Sequence, residues 1–239
     1  MTIARALGID EVREEPLDGC EGMLFTNARR SHGKILVNTS HGLEAARFSI
    51  AHELGHYLLE RHELTLDGMF SCNLADMRQA RSMRMHLLQE VEANEFAIGL
   101  LAPAYATRAI LAGDPGIEAA LSLRSRLELS LEASTRYLVD HHDEPLAAIW
   151  AKDGLIRYVV RGSRFPWITA ARGTRLPQLS LTARFAATGR RVTGAMTEVA
   201  AVAWTNADIP ELFEQVRVGR DGHSLTLLWA TLPDTEDED

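Results

Sequence analysis

Apolar residues are spaced differently in the two parts of the chain. The first forty residues mix turn signals (Pro16, Asp18-Gly19, Gly22, Gly33) with short apolar runs. Among these, Lys34–Asn38 (KILVN) is aliphatic and β-branched and predicts a strand, with Glu21–Thr26 (EGMLFT) available to pair with it. From Leu43 to His62 the apolar positions Phe48, Ile50, Ala51, Leu54, Leu58 and Leu59 predict a helix buried along most of one side. Asn38-Thr39-Ser40 offers capping side chains just before it. A second helical region is expected over Leu74 to Leu101, closed by Pro103, and a third from Ala104 to His142, broken at Gly113-Asp114-Pro115-Gly116. From Pro145 the texture changes. LAAIW and LIRYVV read as strands joined across Lys152-Asp153-Gly154, a hairpin signal. Beyond them SLTARFAATG and IPELFEQV look helical, while EVAAVAW and SLTLLWAT look like strands.

This reading gives an α+β protein. Residues 1–144 form a mainly helical domain with a small sheet, and residues 145–239 form a smaller α+β domain ending in the acidic tail Pro233–Asp239, expected to be a solvated, disordered end. The 46% hydrophobic and 24% charged residues are ordinary for a globular chain, so no fibrous or disordered class is needed. A net charge of −8 argues against direct binding to nucleic acid through phosphates. No apolar run approaches the roughly 20 residues of a membrane helix. The N-terminus is acidic by residue 10 and lacks the layout of a signal peptide, so a cytoplasmic protein is expected. The two cysteines, Cys20 and Cys72, form no CxxC pair and fit a reducing compartment.

The chemistry concentrates in residues 51 to 59, AHELGHYLL. On a helix, His52 and His56 share a face, about 5–6 Å apart at Cβ, and both can aim a ring nitrogen at one metal ion. Glu53 lies about 100° round the axis from His52 and can border the site without binding the ion. That is the logic of H-E-x-x-H, two zinc ligands beside a glutamate that takes a proton from water. The competing explanation is a core helix with two satisfied histidines.

A catalytic zinc usually has three protein ligands. His62 lies six residues beyond His56, where a metzincin keeps its third histidine. That arrangement requires a glycine at the position held here by Leu59, and Tyr57-Leu58-Leu59 favours continuation of the helix. His62 is therefore expected to be an exposed end-of-helix residue. Glu90 and Glu92, in QEVEANEFA, are the other candidates. Glu90 is preferred, because it shares a face with Asn94 and neighbours Ala93 and Ala97, whose small side chains let two helices approach. Asn94 can accept a hydrogen bond from a ligand histidine. Glu92, about 200° away, is the alternative.

Taken together, ARFSIAHELGHYLL followed by EVEANEFAIGLLAP resembles the ImmA/IrrE family of zinc metallopeptidases. Arg47-Phe48, His52 to His56 and Glu90 to Pro103 stand where that family has R-F-T-x-A-H-E-L-G-H and E-x-E-A-N-x-F-A-x-x-L-L-M-P, with Ala102 in place of the methionine. The likeness is good over 34–103 and weaker to about 140. It implies a thermolysin-like fold, one Zn²⁺ held by His52, His56 and Glu90, and Glu53 as general base. It implies as substrate a helix-turn-helix repressor, cut in a stress-response or mobile-element circuit. Longer members add a GAF-like sensor domain, a role open to residues 145–239. No helix-turn-helix domain is expected ahead of the protease region, and LSLEASTRYL at 129–138, lacking a basic face, reads as a packing element.

A rival from another class is a non-proteolytic regulatory protein with a vestigial or structural zinc site. The intact Glu53 argues against it, since a structural zinc needs no base. His32, His41, Tyr57 and His86 are candidates for stabilising an oxyanion. In the second domain, Trp150, Trp204 and Trp229 are expected in the core. Gly162–Trp167 (GSRFPW) is expected to be a loop whose aromatics pack on the sheet.

Overall fold

The computed structural model describes residues 2–63, 69–71 and 80–233. Cys72 and the tail residues 234–239 lie outside these; Cys20 is a free thiol. The protein is α+β, with two sheets. Contacts divide it into Met1–Ala106 and Thr107–Asp239.

In the first unit, α1 (Thr2–Ala6) leads into β1 (Ile9–Glu15), β2 (Gly22–Thr26) and β3 (Gly33–Asn38), then α2 (Leu43–Leu58), β4 (Met69–Ser71) and α3 (Ala80–Leu101). The sheet order is β1-β3-β2-β4, with β1 parallel to β3 and the β2 pairings antiparallel. The pairing of β2 with β3 is the one read from the sequence. Ile9, Leu24, Ile35 and Val37 from the sheet meet Ala46, Leu54 and Tyr57 of α2, with Phe96 and Leu100 of α3 against them. The expected capping by Asn38-Thr39-Ser40 does not occur, and Gly42 occupies the cap position. Asn38 is instead buried, where it bonds Leu17, Cys20 and the Ser40 amide and pins the segment before β2 to the end of β3.

Helix α2 also stops earlier than its apolar spacing predicts, at Leu58 rather than His62. The cause lies far away in sequence. The Arg30 guanidinium donates to the carbonyls of Tyr57, Leu59 and His62, taking up the orphan acceptors at the helix end. The chain turns there, with His62 N bonded to Leu59 O, and His62 is carried back under the helix.

α4 (Ala104–Leu111) spans the division between the units. The second unit contains α5 (Ile117–Leu127), α6 (Leu131–His141), β5 (Leu146–Lys152), β6 (Leu155–Arg161), α7 (Leu181–Ala187), β7 (Val192–Thr193), β8 (Thr197–Val199), β9 (Glu211–Val218) and β10 (His223–Thr231). The antiparallel sheet runs β6-β5-β10-β9-β7, with β8 also on β9. The hairpin at Asp153-Gly154 forms as expected, both residues having positive φ. IPELFEQV, expected to be helical, is strand β9, and EVAAVAW is only partly strand, ending in a 3₁₀ turn at Ala201–Ala203. Of the three tryptophans expected in the core, only Trp204 is fully buried. Trp150 stacks on Tyr158, and Trp229 stacks on Phe213 and donates to Glu144. In the GSRFPW loop Phe165 is buried, but Trp167 is 75% exposed beneath the Arg161 guanidinium.

The adjacent residues Glu214 and Gln215 of β9 point to opposite faces of the sheet. Glu214 accepts from the Leu181 and Thr182 amides, the Thr182 hydroxyl and Trp204 Nε1. Gln215 accepts from the Ile117 amide. One strand thereby fixes the N-termini of α7 and α5, which explains why α5 and α6 belong with this sheet. The texture change at residue 145 marks the first strand of the unit, and the unit itself begins before α5.

Candidate metal centre

The site is built where α2 and α3 approach most closely. A Cβ on Gly55 would lie 3.1 Å from Ala93 Cα and 3.2 Å from Phe96 Cδ1, and Ala93 and Ala97 are completely buried. The small residues thus let two backbones come together, as the sequence indicated. His52 and His56 on α2 then face Glu90 and Asn94 on α3.

His52 Nε2 and His56 Nε2 are 3.0 Å apart, and each is 3.3 Å from an oxygen of Glu90. These three residues are the one His/Cys/Asp/Glu group among the described residues with metal-binding geometry. Zinc with bonds of about 2.0–2.1 Å in tetrahedral array sets neighbouring ligand atoms roughly 3.3–3.4 Å apart, so the donors have nearly the spacing of such an ion's shell. The donor chemistry also fits. Asn94 Oδ1 is 3.0 Å from His52 Nδ1 and accepts its proton, leaving Nε2 as the lone-pair nitrogen toward the group. Two imidazoles and a carboxylate converging in this way can hold a metal ion.

Burial and charge set the protonation of these side chains. Burial works against the charged form of His52, but the Glu90 and Glu53 carboxylates outweigh it and raise its pKa. Burial holds His56 down to about 4. For Glu90, burial favours the acid, yet the hydrogen bonds and charges of both histidines hold it far below the usual carboxylate range. Glu53 is 1% exposed. Burial pushes its carboxyl up to about 8, against the pull of a charged His52 and with the Glu90 charge adding to the rise. Its Oε2 is buried and has no hydrogen-bond partner among the described residues. Its Oε1 lies where a side chain on Gly22 would be, 2.8 Å from a Cβ at that position. Gly22 therefore makes room for this carboxylate at the start of β2.

Two expectations need correction. His62 is not an exposed end-of-helix residue: it is 2% exposed, with Nδ1 2.9 Å from His56 Nδ1, because Arg30 ends the helix early. Nothing local in Leu59-Glu60-Arg61 marks that stop. Glu92, the alternative third ligand, is outside the metal-ligand group and lies against His62 Nε2 at 2.9 Å and Arg61 Nε at 2.8 Å. Of the oxyanion candidates, His32 pairs with Asp10, His41 with Glu21, and Tyr57 donates its hydroxyl proton to Arg30 O. His86 stands one turn before Glu90, with its buried Nδ1 3.9 Å from Glu90 Oε1.

The family model of the IrrE N-terminal-like domain, peptidase M78, matches residues 4–138. The chain belongs to this family. The match includes all three residues of the metal group and Glu53, and peptidases of this family are generally metal-dependent. No curated protein sequence matches the chain. Among solved structures it is similar to a Mycobacterium tuberculosis transcriptional regulator, with a TM-score of 0.52 and 16% identity over 90% of this chain and 63% of that one. This M78 chain thus spans less than two thirds of that protein's length, and at such identity the likeness concerns the fold alone. Among the described residues no helix is long and apolar enough to cross a membrane.

Proposed function

We propose that the protein is a zinc-dependent endopeptidase that cuts a helix-turn-helix transcriptional repressor at one site, in a stress-response or mobile-element circuit. The observation that carries the catalytic part is the buried Glu53 oxygen, without a hydrogen-bond partner among the described residues, beside a His-His-Glu group in a chain of the M78 family. A structural metal site has no use for such a carboxylate, which is costly to bury. The first unit is read as a thermolysin-like peptidase fold and the second as a GAF-like sensor of the activating signal. The regulatory setting draws support from a fold neighbour described as a transcriptional regulator. The cytoplasm is the proposed location, where such a repressor would be met.

His52, His56 and Glu90 would hold the ion, with Asn94 orienting His52. When bound, zinc supplies Lewis acidity, making water acidic enough to ionise near neutral pH and polarising a peptide carbonyl. Glu53 takes the proton of the attacking water and delivers it to the departing amine nitrogen. A dication nearby favours the ionised carboxylate and offsets the rise that burial imposes on Glu53. Burial of His56 and Glu53 keeps bulk water from competing for these contacts.

The test is a survey of new protein N-termini by mass spectrometry in host cells expressing wild type or Glu53→Gln. A discrete new N-terminus in a helix-turn-helix protein is expected with wild type and absent with Glu53→Gln. The same N-terminus at the same yield with both would remove Glu53 as base. A non-proteolytic regulator would produce no new N-terminus with either.

A further inference from the structure

The metal group uses one nitrogen of each histidine, and the fate of the other nitrogen decides whether the ring can bind an ion at all. For His52 the partner is Asn94. For His56 it is a chain of side chains that the proposed mechanism does not use. Arg61 Nε lies 2.8 Å from Glu92 Oε2, the same oxygen lies 2.9 Å from His62 Nε2, and His62 Nδ1 lies 2.9 Å from His56 Nδ1.

We infer that His62 is a positioning residue for the metal centre: it accepts the Nδ1 proton of His56, so that His56 presents a bare Nε2 to the ion, and Glu92 with Arg61 locks His62 in the tautomer that can accept. The inference deepens the metal-peptidase reading and rests on it.

The assignment follows from counting protons. A carboxylate oxygen held by Arg61 can only accept, so the proton between Glu92 and His62 sits on His62 Nε2. A neutral imidazole protonated at Nε2 has its lone pair at Nδ1. Two ring nitrogens 2.9 Å apart share one proton, so that proton belongs to His56 Nδ1. His56 Nε2, 3.3 Å from Glu90 and 3.0 Å from His52 Nε2, is then a lone-pair donor. The reverse arrangement needs a second proton on His62. One proton on each ring already satisfies both contacts, so none is needed.

The arrangement assigns separate duties to three residues of α3. Glu90 faces the ion and Asn94, one turn on, holds His52 from the same face. Glu92, on another side of the helix, meets His62 where the chain has turned back from α2. His62 is thereby distinguished from a residue that merely fills space beneath a helix end: its position requires a hydrogen-bond acceptor at Nδ1 and a donor at Nε2.

The experiment uses ¹⁵N-histidine-labelled full-length protein, zinc-loaded and metal-free, together with zinc affinity by chelator competition. Long-range ¹H–¹⁵N imidazole spectra are expected to show His62 protonated at Nε2 alone in both forms, and His56 protonated at Nδ1 alone in the metal-free form. His62→Leu fills the space without an acceptor and is expected to weaken zinc about 10–100-fold. His62→Gln restores an acceptor at similar volume and is expected to recover affinity to within a few-fold of wild type. Glu92→Ala, at a half-exposed position that leaves the core intact, is expected to weaken zinc and to let His62 populate both tautomers. Finding His56 protonated at Nε2 in the metal-free wild type, or His62→Leu binding zinc as tightly as wild type, would overturn the inference. A wild type that takes up no zinc would overturn the peptidase reading instead, and the tautomers of the metal-free protein would still decide the proton relay.

Discussion

Glu53 owes its position to a residue with no side chain. Gly22 opens β2 directly over the Glu53 carboxylate, and a methyl group there would stand 2.8 Å from Oε1 and 3.3 Å from Cγ. The atom in the way is the far end of a flexible side chain, so the backbone need not move. Gly22→Ala should therefore cost little stability and leave zinc content unchanged, while the displaced carboxylate lowers cleavage at least about tenfold. Zinc content, melting temperature and turnover on one substrate decide it; unchanged turnover would show that Glu53 acts from elsewhere. Residues 51 to 59 made His52, Glu53 and His56 readable, because helical spacing alone places two histidines on one face. The structure places Glu90 in one group with the two histidines and Asn94 beside His52. His62 and Gly22 were not readable. Each depends on a partner 20 or more residues away, Arg30 in one case and Glu53 in the other.

Helices α2 and α3 hold the metal group only because Gly55 and Ala93 let them touch. Here the obstructing atoms are backbone, Ala93 Cα at 3.1 Å and Ala93 O at 3.3 Å, and these cannot swing aside. Gly55→Val should force the helices apart, costing about 1–3 kcal/mol and weakening zinc binding, since Glu90 and Asn94 flank Ala93. Urea unfolding and zinc competition on the same preparation measure both; a variant as stable and as zinc-avid as wild type would contradict the close approach. The helices were the most readable elements, since their apolar spacing reflects a buried face. Their ends were less so, because α2 is stopped by a distant guanidinium. IPELFEQV misled for a different reason. Its Leu212, Phe213 and Val216 suit a helical period, but both faces of this strand are covered, Glu214 meeting α7 and Gln215 meeting α5, so every residue from Leu212 to Val218 is buried or half-buried, and such a strand shows no clean alternation.

The two units draw on different means of stability. The second is organised around Glu214, a carboxylate with no exposure that satisfies two backbone amides, a hydroxyl and an indole. Glu214→Ala strands these donors in the interior and should destabilise the protein by about 3 kcal/mol or more, read by chemical denaturation followed through Trp204. A loss below about 0.5 kcal/mol would mean that water replaces the carboxylate without cost. The family match, ending at residue 138, covers the metal group and stops before the first strand of the second sheet. The account of the protein as a metallopeptidase therefore stands or falls on the first unit. The most direct measurement is the zinc bound per chain, by elemental analysis after reconstitution and desalting, in wild type, His56→Ala, Glu90→Ala, Glu92→Ala and Glu53→Gln. The account predicts about one zinc in wild type and in Glu53→Gln, none in His56→Ala, a reduced amount in Glu90→Ala and a smaller reduction in Glu92→Ala. No zinc in wild type, or full retention in Glu90→Ala with loss in Glu92→Ala, would contradict it.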